Sequence, residues 1–593
     1  METTPHYVET EAQSNPPGGA PAQEKTPEKG VSKVQWILEA AIFLPVLVYG
    51  QAIFFDFVYD DHTQIGWNTW IRSLHNLPKF FTHSVWGFMN QVDAHSNYRP
   101  LQFVWFTICY QLFGDSAGGW HAASLLLHLA VVGAVFWCGM ELLQDGWTAA
   151  FGALLFAIHP IHCEVIAWVA GVPEPLCTFF AVSSFAVYLR ARRKRSFVTT
   201  WRVLSWVLGL AALLSKETAF CLPILVFSHR ILSESASAYT AWSRFKKGFL
   251  AALPYAAISM LMLTVRHFVL RGTHTTHAIE LRQSLIWAPG ALLFYVRQLA
   301  FPFRLALFYE LPLNGVGRIA LMFSWLVLVA AAAGSAYFLI LRKWYTELFL
   351  SVWVTAAALP AVAVTGTLGL EEAVHDRYLY LPSVGFCLLI AGGLARARRS
   401  RTNTWPRLAW AVGIVLCAGY VVSSALETRP WRNDLTLCGN AAKRSPGNAL
   451  ALTSYGFNLG NDGRTREAVE ILRRATRADS QFLLAWLYLG SSEFQEGDLS
   501  GAQFSFDQAE RLLGPDQKTM HSYLELQLGK IEMRRGNLNG ARNHLERSLA
   551  EDPTSTESQS ALAYANTRAK KTQKEKNGVS NTVSDGAALN HLP

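Results

Sequence analysis

Long apolar runs separated by short polar segments fill the chain up to about residue 430. The first run, residues 34–55, is long enough to cross a bilayer as a helix. Further runs of this kind lie near residues 118–141, 146–162, 173–190, 202–214, 218–232, 249–271, 317–341, 345–366, 376–395 and 406–427. The pattern predicts an all-α, polytopic membrane domain with about eleven spanning helices.

Two other apolar segments fit the membrane interface better than a crossing. Residues 101–113 are too short to span a bilayer, which predicts a helix that lies in the interface. Residues 285–300 are predicted to be re-entrant or interfacial, since a crossing there would put the basic loops on opposite faces. The loops RARRKR (190–195) and RARRSR (396–401) then both face the cytoplasm. The opposite face receives residues 60–61, 159–168, 215–217 and 371–380.

A repeat begins after residue 430, where the composition becomes polar. Small residues recur 34 positions apart, and a third copy follows after a five-residue insertion: Gly456 and Ala468, Gly490 and Ala502, Gly529 and Ala541. Small residues at fixed positions let paired helices approach closely, which is typical of tetratricopeptide repeats. The pattern predicts an α-helical tetratricopeptide solenoid with repeats at about 449–482, 483–516 and 522–555, preceded by a half repeat.

The hydropathy pattern and the repeat divide the chain into four parts. Residues 1–33, rich in Pro, Gly, Glu and Thr, are predicted to be a disordered cytoplasmic segment. Residues 34–429 are predicted to form the membrane domain, with a first extracytoplasmic loop at 56–117. Residues 430–567 are predicted to form the repeats on the extracytoplasmic side, and 568–593 a disordered tail.

Composition agrees with a large membrane part joined to a polar part. Of the 593 residues, 51% are hydrophobic and only 16% are charged. Basic residues cluster in short loops between apolar runs, so the net charge of +9 does not indicate a nucleic-acid partner. The eight cysteines form no CxxC pair, and no GxGxxG or GxxxxGK[ST] loop occurs. A zinc ribbon, a disulfide framework and a nucleotide site are therefore not predicted.

An acidic pair, Asp60-Asp61, lies just after the first span. Carboxylates at the membrane surface are costly to hold, and two adjacent ones repel each other, which raises the pKa of one of them. One could act as a general base on an acceptor hydroxyl, while the other orients the acceptor or binds a divalent cation. The alternative is an acidic cap that only fixes where the helix ends.

A second polar cluster, His159, His162 and Glu164, lies at the outer end of another span. Two imidazoles and a carboxylate could supply metal ligands or polar contacts to a substrate. Pro160 breaks the helical spacing, so this HxxH is not a standard zinc motif. The alternative is an interfacial loop whose histidines reach toward the headgroups.

Candidate anion contacts occur at three further positions. Lys216-Glu217 lies between two apolar runs, where the lysine could hold a phosphate, and an internal Lys-Glu pair is the alternative. Arg377 could bind phosphate oxygens with its guanidinium, with Tyr378 packing against a lipid or sugar. A structural pair between Arg377 and the adjacent aspartate is the alternative. Arg99, at the start of the interfacial helix, is a further candidate.

Six of these segments occur in the order found in one family of membrane enzymes. They are FVYDDHTQI, NYRPLQFVWFTICYQLFG, WHAASLLLHL, HPIHCEVIAWVAGVPEPL, LLSKETAF and DRYLYLPSVGF. In this order, and followed by the repeats, they resemble the TMTC-type transmembrane and tetratricopeptide-containing O-mannosyltransferases and their bacterial relatives. The resemblance covers roughly residues 34–567.

The resemblance implies the GT-C glycosyltransferase fold and an inverting transfer of sugar, such as mannose, from a polyprenyl-phosphate carrier. By the same comparison, Asp60 and Asp61 are expected to be the catalytic pair, with His162 and Glu164 lining the site. The basic residues are expected to neutralise the lipid phosphate: Arg99, Lys216 and Arg377. The remaining expected substrate-binding residues are His159, Glu217 and Tyr378.

Several points stay open at the level of sequence. Family members from animals usually carry longer repeat arrays, so a bacterial inner-membrane relative with periplasmic repeats is expected, with the endoplasmic reticulum as the alternative. The repeats are expected to bind a protein partner or acceptor, and a divalent cation, Mn or Mg, could bind at Asp61 or Glu164. The rival functions are a non-enzymatic membrane scaffold and a ligase or polymerase of lipid-linked glycans.

Overall fold

The computed structural model describes residues 33–89, 97–193, 196–233, 240–270, 281–310, 318–368, 372–400, 402 and 404–576. All regular structure in these ranges is helical, and they contain no strand. The prediction of an all-α chain with a polytopic membrane part and a helical repeat part is confirmed. Predictions for residues 1–32 and 577–593 lie outside the described residues.

Fifteen α-helices and several 3₁₀ segments form the membrane part. The helices are α1 (Lys33–Tyr49), α2 (Leu77–Phe80), α3 (Pro100–Phe113), α4 (Ala117–Leu143), α5 (Gly146–Ala157), α6 (Cys163–Ala167), α7 (Pro173–Arg193), α8 (Val198–Ser215), α9 (Leu222–Leu232), α10 (Ala241–Val269), α11 (Leu281–Ala300), α12 (Arg318–Leu341), α13 (Tyr345–Leu368), α14 (Tyr380–Arg398) and α15 (Thr404–Thr428). One apolar core joins α1, α4, α5, α7, α8, α13 and α14. Short helices between the long ones carry the polar segments that the sequence singled out.

Nine helices among the described residues are long and apolar enough to span a membrane, against about eleven predicted. The run 146–162 breaks after α5, because Pro160 cannot continue the helix, and α5 with the segment after it forms a pair bent by 51°. The run 218–232 is also interrupted. A 3₁₀ segment (Glu217–Cys221) precedes α9, which has only 11 residues.

Both segments predicted to lie at the interface are helices outside the set of nine. α3 begins with Pro100 in its first turn and ends at Phe113, and the next residue, Gly114, has a φ of 55° that glycine adopts readily. α11 carries Arg282 and Arg297 and contains an internal Pro289. The membrane topology that places the acidic pair outside stays a prediction.

The repeat part consists of eight helices packed in sequence. They are α16 (Asp434–Arg444), α17 (Ala449–Asn461), α18 (Thr465–Ala478), α19 (Leu483–Glu496), α20 (Leu499–Leu512), α21 (Lys518–Arg535), α22 (Leu538–Glu551) and α23 (Thr556–Lys576). A Cβ at Gly456 would lie 2.5 Å from Leu472, and one at Gly490 would lie 2.8 Å from Phe506. The repeated glycines are therefore required by the close approach of the paired helices.

The end of the repeat part differs from the prediction of a disordered tail after Thr567. α23 continues to Lys576, because the sequence there is rich in Lys, Gln and Glu, which favour helix. At its other end the repeat part is joined closely to the membrane part. Arg444 of α16 donates to both oxygens of Glu427 in α15, at 2.6 and 3.1 Å.

Candidate active site

A cavity of about 250 Å³ lies between the first loop, the start of α7 and the segment before α14. We call it the Asp60 cavity. Its polar and aromatic lining consists of Tyr59, Asp60, Gln64, Trp86, Asn97, Arg99, Gln102, Trp168, Glu174, Lys216, Glu372, His375, Arg377 and Tyr378. Five residues predicted from the sequence therefore share one cavity: Asp60, Arg99, Lys216, Arg377 and Tyr378.

The two carboxylates of the acidic pair have different environments. Asp61 is fully buried, and its two oxygens accept the backbone N–H of Ala170 at 2.7 Å and that of Val58 at 3.2 Å. Burial raises the pKa of Asp61 to about 7, against the lowering effect of these hydrogen bonds. Asp60 lines the cavity, where its Oδ2 lies 3.4 Å from Gln64 Nε2. Asp60 therefore faces the site, and Asp61 fixes the loop to the cavity wall.

Each of the three cations in the lining is paired with a carboxylate. Arg99 donates to Glu217 through Nη2 at 3.0 Å, and Lys216 pairs with the buried Glu174. Arg377 donates to Glu164 through Nη1 at 2.5 Å. These carboxylates fix the positions of the cationic groups, because each pair is held in a largely buried environment where solvent screens it little.

Arg377 is bound to Glu164 through both its side chain and its backbone. Besides the ion pair, the Arg377 N–H donates to the other oxygen of Glu164 at 3.0 Å. Its Cζ lies 5.1 Å from the ring centroids of both Trp168 and Tyr378. The alternative pairing with Asp376 is wrong: that carboxylate accepts from Gln298 at 2.8 Å and from Tyr309.

Lys216 pairs with a glutamate distant in sequence and not with its neighbour Glu217. The partner, Glu174, is only 2% exposed, and burial lowers the pKa of Lys216. The Lys216 Nζ also lies 4.9 Å from the centre of the Tyr378 ring. Sequence reasoning missed Glu174, although an acidic residue opening an apolar run, in VPEPL, is a signal of a functional carboxylate.

Glu217 lies behind the cavity and does not line it. Its two oxygens accept from Arg99 at 3.0 Å and from Arg266 at 2.6 Å. Burial opposes its ionisation, yet Arg99 and Arg266 outweigh burial and lower the pKa of Glu217 to about 2. Its geometry fits the positioning of Arg99 and not direct contact with a substrate.

The histidines His159 and His162 are not part of the cavity, in contrast to the prediction. Both are fully buried, and His159 Nε2 lies 3.2 Å from the Leu299 carbonyl while His162 Nε2 lies 3.0 Å from Ser383 Oγ. The chain turns inward where α5 ends, so the imidazoles pack in the core and not at the interface. Only Glu164 of that cluster reaches the cavity, and it does so through Arg377.

The two carboxylates predicted as candidate ligands of a divalent cation are both engaged in hydrogen bonds, and the cation stays a prediction. Both oxygens of Asp61 accept backbone hydrogen bonds, and both oxygens of Glu164 accept from Arg377. Within the described part of the chain, no group of three or more His, Cys, Asp or Glu residues is placed to hold a metal ion.

Other lining residues lacked a sequence signal because their types are common in loops. His375, next to the predicted Arg377, is 3% exposed, and its Nδ1 lies 3.1 Å from the Leu307 carbonyl. Burial lowers the pKa of His375 well below its usual value. Gln102 donates to Gln64 at 2.6 Å and links α3 to the loop that carries Asp60.

Comparison with known proteins agrees with both parts of the chain. A family model for the tetratricopeptide repeat matches residues 458–513. The chain is 26% identical to protein O-mannosyl-transferase TMTC4 of Mus musculus, over 74% of this chain and 66% of that protein. It is also 26% identical to TMTC3 of Mus musculus, over 74% of this chain and 51% of that protein. The chain thus spans about half to two thirds of the length of these relatives.

The solved structures that align with this chain are oligosaccharyltransferases. One from Archaeoglobus fulgidus, in complex with Zn and sulfate, aligns with a TM-score of 0.41 and 14% identity. The alignment covers 66% of this chain and 53% of that chain. The sequence comparison confirms the predicted resemblance: over about three quarters of its length, the chain is similar to the TMTC-type protein O-mannosyl-transferases.

Proposed function

We propose that this protein is a membrane glycosyltransferase of the GT-C type that transfers a sugar, such as mannose, from a polyprenyl-phosphate carrier to a hydroxyl group on a protein or glycan. The observation that carries the proposal is one cavity in which Asp60 faces Arg99, Lys216 and Arg377. A carboxylate can activate a hydroxyl, and three cations can hold a phosphate that leaves. A transfer between a phosphate leaving group and a hydroxyl acceptor needs both functions in one place.

The proposed reaction is a single inverting displacement. The Asp60 carboxylate accepts the proton of the acceptor hydroxyl while the acceptor oxygen forms a bond to the anomeric carbon. The bond between that carbon and the phosphate oxygen breaks, and the electron pair leaves with the lipid phosphate. Arg99, Lys216 and Arg377 stabilise the charge that develops on the leaving oxygen. The balanced products are the glycosylated acceptor and a polyprenyl phosphate.

The buried carboxylates have supporting roles in this proposal. Glu164, Glu174 and Glu217 orient the cations in the empty enzyme, so that little reorganisation is needed when the phosphate enters. Asp61 holds the loop at the wall through Ala170. Tyr378, which lies near both Lys216 and Arg377, would pack against the sugar or the first isoprene unit.

Two features support the choice of donor and acceptor. The relatives TMTC4 and TMTC3 are named as protein O-mannosyl-transferases, which supports sugar transfer to protein. The repeat part begins directly after the last membrane helix and contacts the loop that carries Asp60, which supports recruitment of a protein acceptor next to the cavity. We propose a bacterial inner membrane with periplasmic repeats as the location, with the endoplasmic reticulum as the alternative.

The test is transfer of radiolabelled sugar from polyprenyl-phosphate sugars to cell-envelope protein and glycan fractions by the purified full chain. Asp60→Asn is the informative variant, because it keeps the size of the side chain and removes the base. Asp56→Asn is the matched control, since this aspartate belongs to the same loop and its side chain is exposed. We expect transfer by the wild type and by Asp56→Asn, and a loss of about a hundredfold or more in Asp60→Asn.

Other outcomes would contradict the proposal. Equal transfer by Asp60→Asn and the wild type would exclude Asp60 as the base. No transfer from any donor by a correctly inserted wild type would favour the non-enzymatic scaffold. Label found only in glycan would favour the ligase or polymerase of lipid-linked glycans.

A further inference from the structure

A second and larger cavity, of about 930 Å³, lies where the membrane part meets the repeats. It is enclosed by α11, the start of α12, residues 304–310 and α16, and we call it the Arg297 cavity. Within the described part of the chain it shares no lining residue with the Asp60 cavity. Asp376 lies between the two, because its side chain binds Gln298 and Tyr309 of the Arg297 cavity while the adjacent Arg377 lines the Asp60 cavity.

The Arg297 cavity has an excess of positive charge. The side chains of Arg297, Arg304 and Lys443 line it, and none of them pairs with a carboxylate among the residues that the structure describes. A fourth cation in the wall, Arg444, is already bound to Glu427 of α15. Glu310 is the only acidic residue described in the lining, and it accepts the backbone N–H of Gly447. Among the residues that the structure describes, three cationic groups therefore face this space together with the single carboxylate of Glu310.

The backbone at Arg304 is held in an unusual conformation. Its φ is 62°, in the left-handed region that a residue with a side chain rarely adopts. The Arg304 N–H donates to Glu427 Oε1 at 3.1 Å, and the same carboxylate binds Arg444. Glu427 thus fixes the positions of two of the basic residues around the cavity. Backbone strain of this kind is concentrated at sites that bind ligands.

The other walls of the Arg297 cavity are apolar and open toward the membrane. Leu293 of α11 is 55% exposed, and Ile286 and Leu321 also line the cavity. α12 lies at the edge of the bundle, and no residue in its apolar window is buried inside the protein. Leu321 and Ser324 belong to the first turns of this candidate span, so the cations lie at the level of the lipid headgroups.

We propose that the Arg297 cavity binds an anionic phospholipid of the surrounding bilayer. The phosphodiester lies between Arg297, Arg304 and Lys443, and the acyl chains run along α11 and α12. Arginine binds phosphate oxygens through several N–H donors, and each basic residue near an anionic headgroup contributes to binding. The bound lipid connects the membrane helices to α16, the first helix of the repeat part, and this binding is independent of sugar transfer.

The test is lipid retention by the full chain, measured by native mass spectrometry in detergent with added dioleoylphosphatidylglycerol or dioleoylphosphatidylcholine. The test variant combines Arg297→Gln, Arg304→Gln and Lys443→Gln. The control variant combines Arg407→Gln, Arg474→Gln and Arg477→Gln, which remove the same charge from exposed positions elsewhere. We expect wild type and control to prefer phosphatidylglycerol, and the test variant to bind it about tenfold or more weakly.

A second measurement locates the lipid and does not depend on a variant. Phosphatidylglycerol with a photoreactive acyl chain should label α11 and α12 of the wild type, and inorganic phosphate in excess should not prevent the labelling. Equal retention of the two lipids, equal weakening in the control variant, or labelling confined to other helices would overturn the proposal. Displacement by inorganic phosphate would also overturn it, since the site would then bind a free anion.

Discussion

The Asp434 carboxylate of α16 binds both sides of the turn that presents Asp60. Its Oδ1 accepts the Tyr59 N–H at 2.8 Å, and its Oδ2 lies 2.7 Å from His62 Nε2. The φ of Tyr59 is 55°, a left-handed backbone conformation that is uncommon for residues other than glycine. The helix that opens the repeat part therefore holds the loop of the candidate active site, and the two parts of the chain are mechanically connected at this point.

We predict that Asp434→Ala lowers sugar transfer about tenfold, because the turn loses two hydrogen bonds and Asp60 is no longer held in its position. The substitution is expected to change the maximal rate more than the KM for the lipid donor, since no cation of the cavity contacts Asp434. The measurement is steady-state transfer at varied donor concentration. Asp479→Ala is the control, because the side chain of that aspartate accepts the Gln481 N–H inside the repeats, away from the turn of Asp60. An equal loss of rate in both variants would contradict the prediction.

We also predict that the protonation of His62 makes the stability of the folded protein depend on pH. The hydrogen bond to Asp434 raises the pKa of His62 above 6.5, so the folded state binds this proton more tightly than the unfolded state. The stabilisation is complete below pH 6.5 and is lost as pH rises through the higher pKa of the folded state. The measurement is the Tm of wild type and His62→Gln in buffers on both sides of this range. A constant difference in Tm at all pH values would refute the role of His62.

For Asp61 we predict a structural effect separate from that of Asp60. Asp61→Asn keeps one acceptor for the two backbone N–H groups, so the free energy of unfolding should fall by about 1–3 kcal/mol. Transfer should fall less than in Asp60→Asn, because Asp61 does not line the cavity. Thermal unfolding and transfer measured on the same preparations separate the two effects. Transfer lost completely by an Asp61→Asn protein that remains folded would show that Asp61 takes part in the chemistry.

The same variant should change the pH dependence of stability. Because burial raises the pKa of Asp61 from 3.8 to about 7, its protonated form is favoured in the folded state. This contribution is fully present below pH 3.8 and is lost as pH rises through about 7. Stability of the wild type should therefore decrease over that interval relative to Asp61→Asn. Parallel curves for the two proteins would exclude a raised pKa at this position.

We predict that the buried pair of Lys216 and Glu174 affects both the stability of the protein and sugar transfer. Lys216→Met leaves the Glu174 carboxylate buried without a partner, which should destabilise the protein by about 3–5 kcal/mol. The double variant Lys216→Met, Glu174→Gln removes both charges and should recover most of that loss, but not the transfer activity. The measurements are denaturant unfolding and sugar transfer for Lys216→Met, for Glu174→Gln and for the double variant. Recovery of transfer in the double variant would show that Lys216 does not bind the donor phosphate.

Much of the architecture follows from local pattern. Apolar runs of sufficient length specify spans because an isolated helix in lipid must satisfy its own backbone, and this requires no knowledge of neighbours. The glycines of the repeats can also be recognised from the sequence alone, because Gly456 and Gly490 recur at a fixed spacing. Both lie where paired helices approach closely. Pro160 in the sequence indicates that the apolar run breaks near His159. The sequence does not indicate that the chain turns inward at that point.

Sequence by itself determined which residue types could carry the chemistry. It also determined the order in which the segments that contain them follow one another along the chain. It could not assign partners, because the pairs are remote: Lys216 binds Glu174 and not Glu217, and Arg377 binds Glu164 and not Asp376. Only the tertiary structure decided that Asp60 faces the cavity while Asp61 is buried, and that His159 and His162 pack in the core. The physical reason is that the burial and the pairing of a side chain depend on which helices pack together. That packing is determined by contacts between segments that are distant in the sequence.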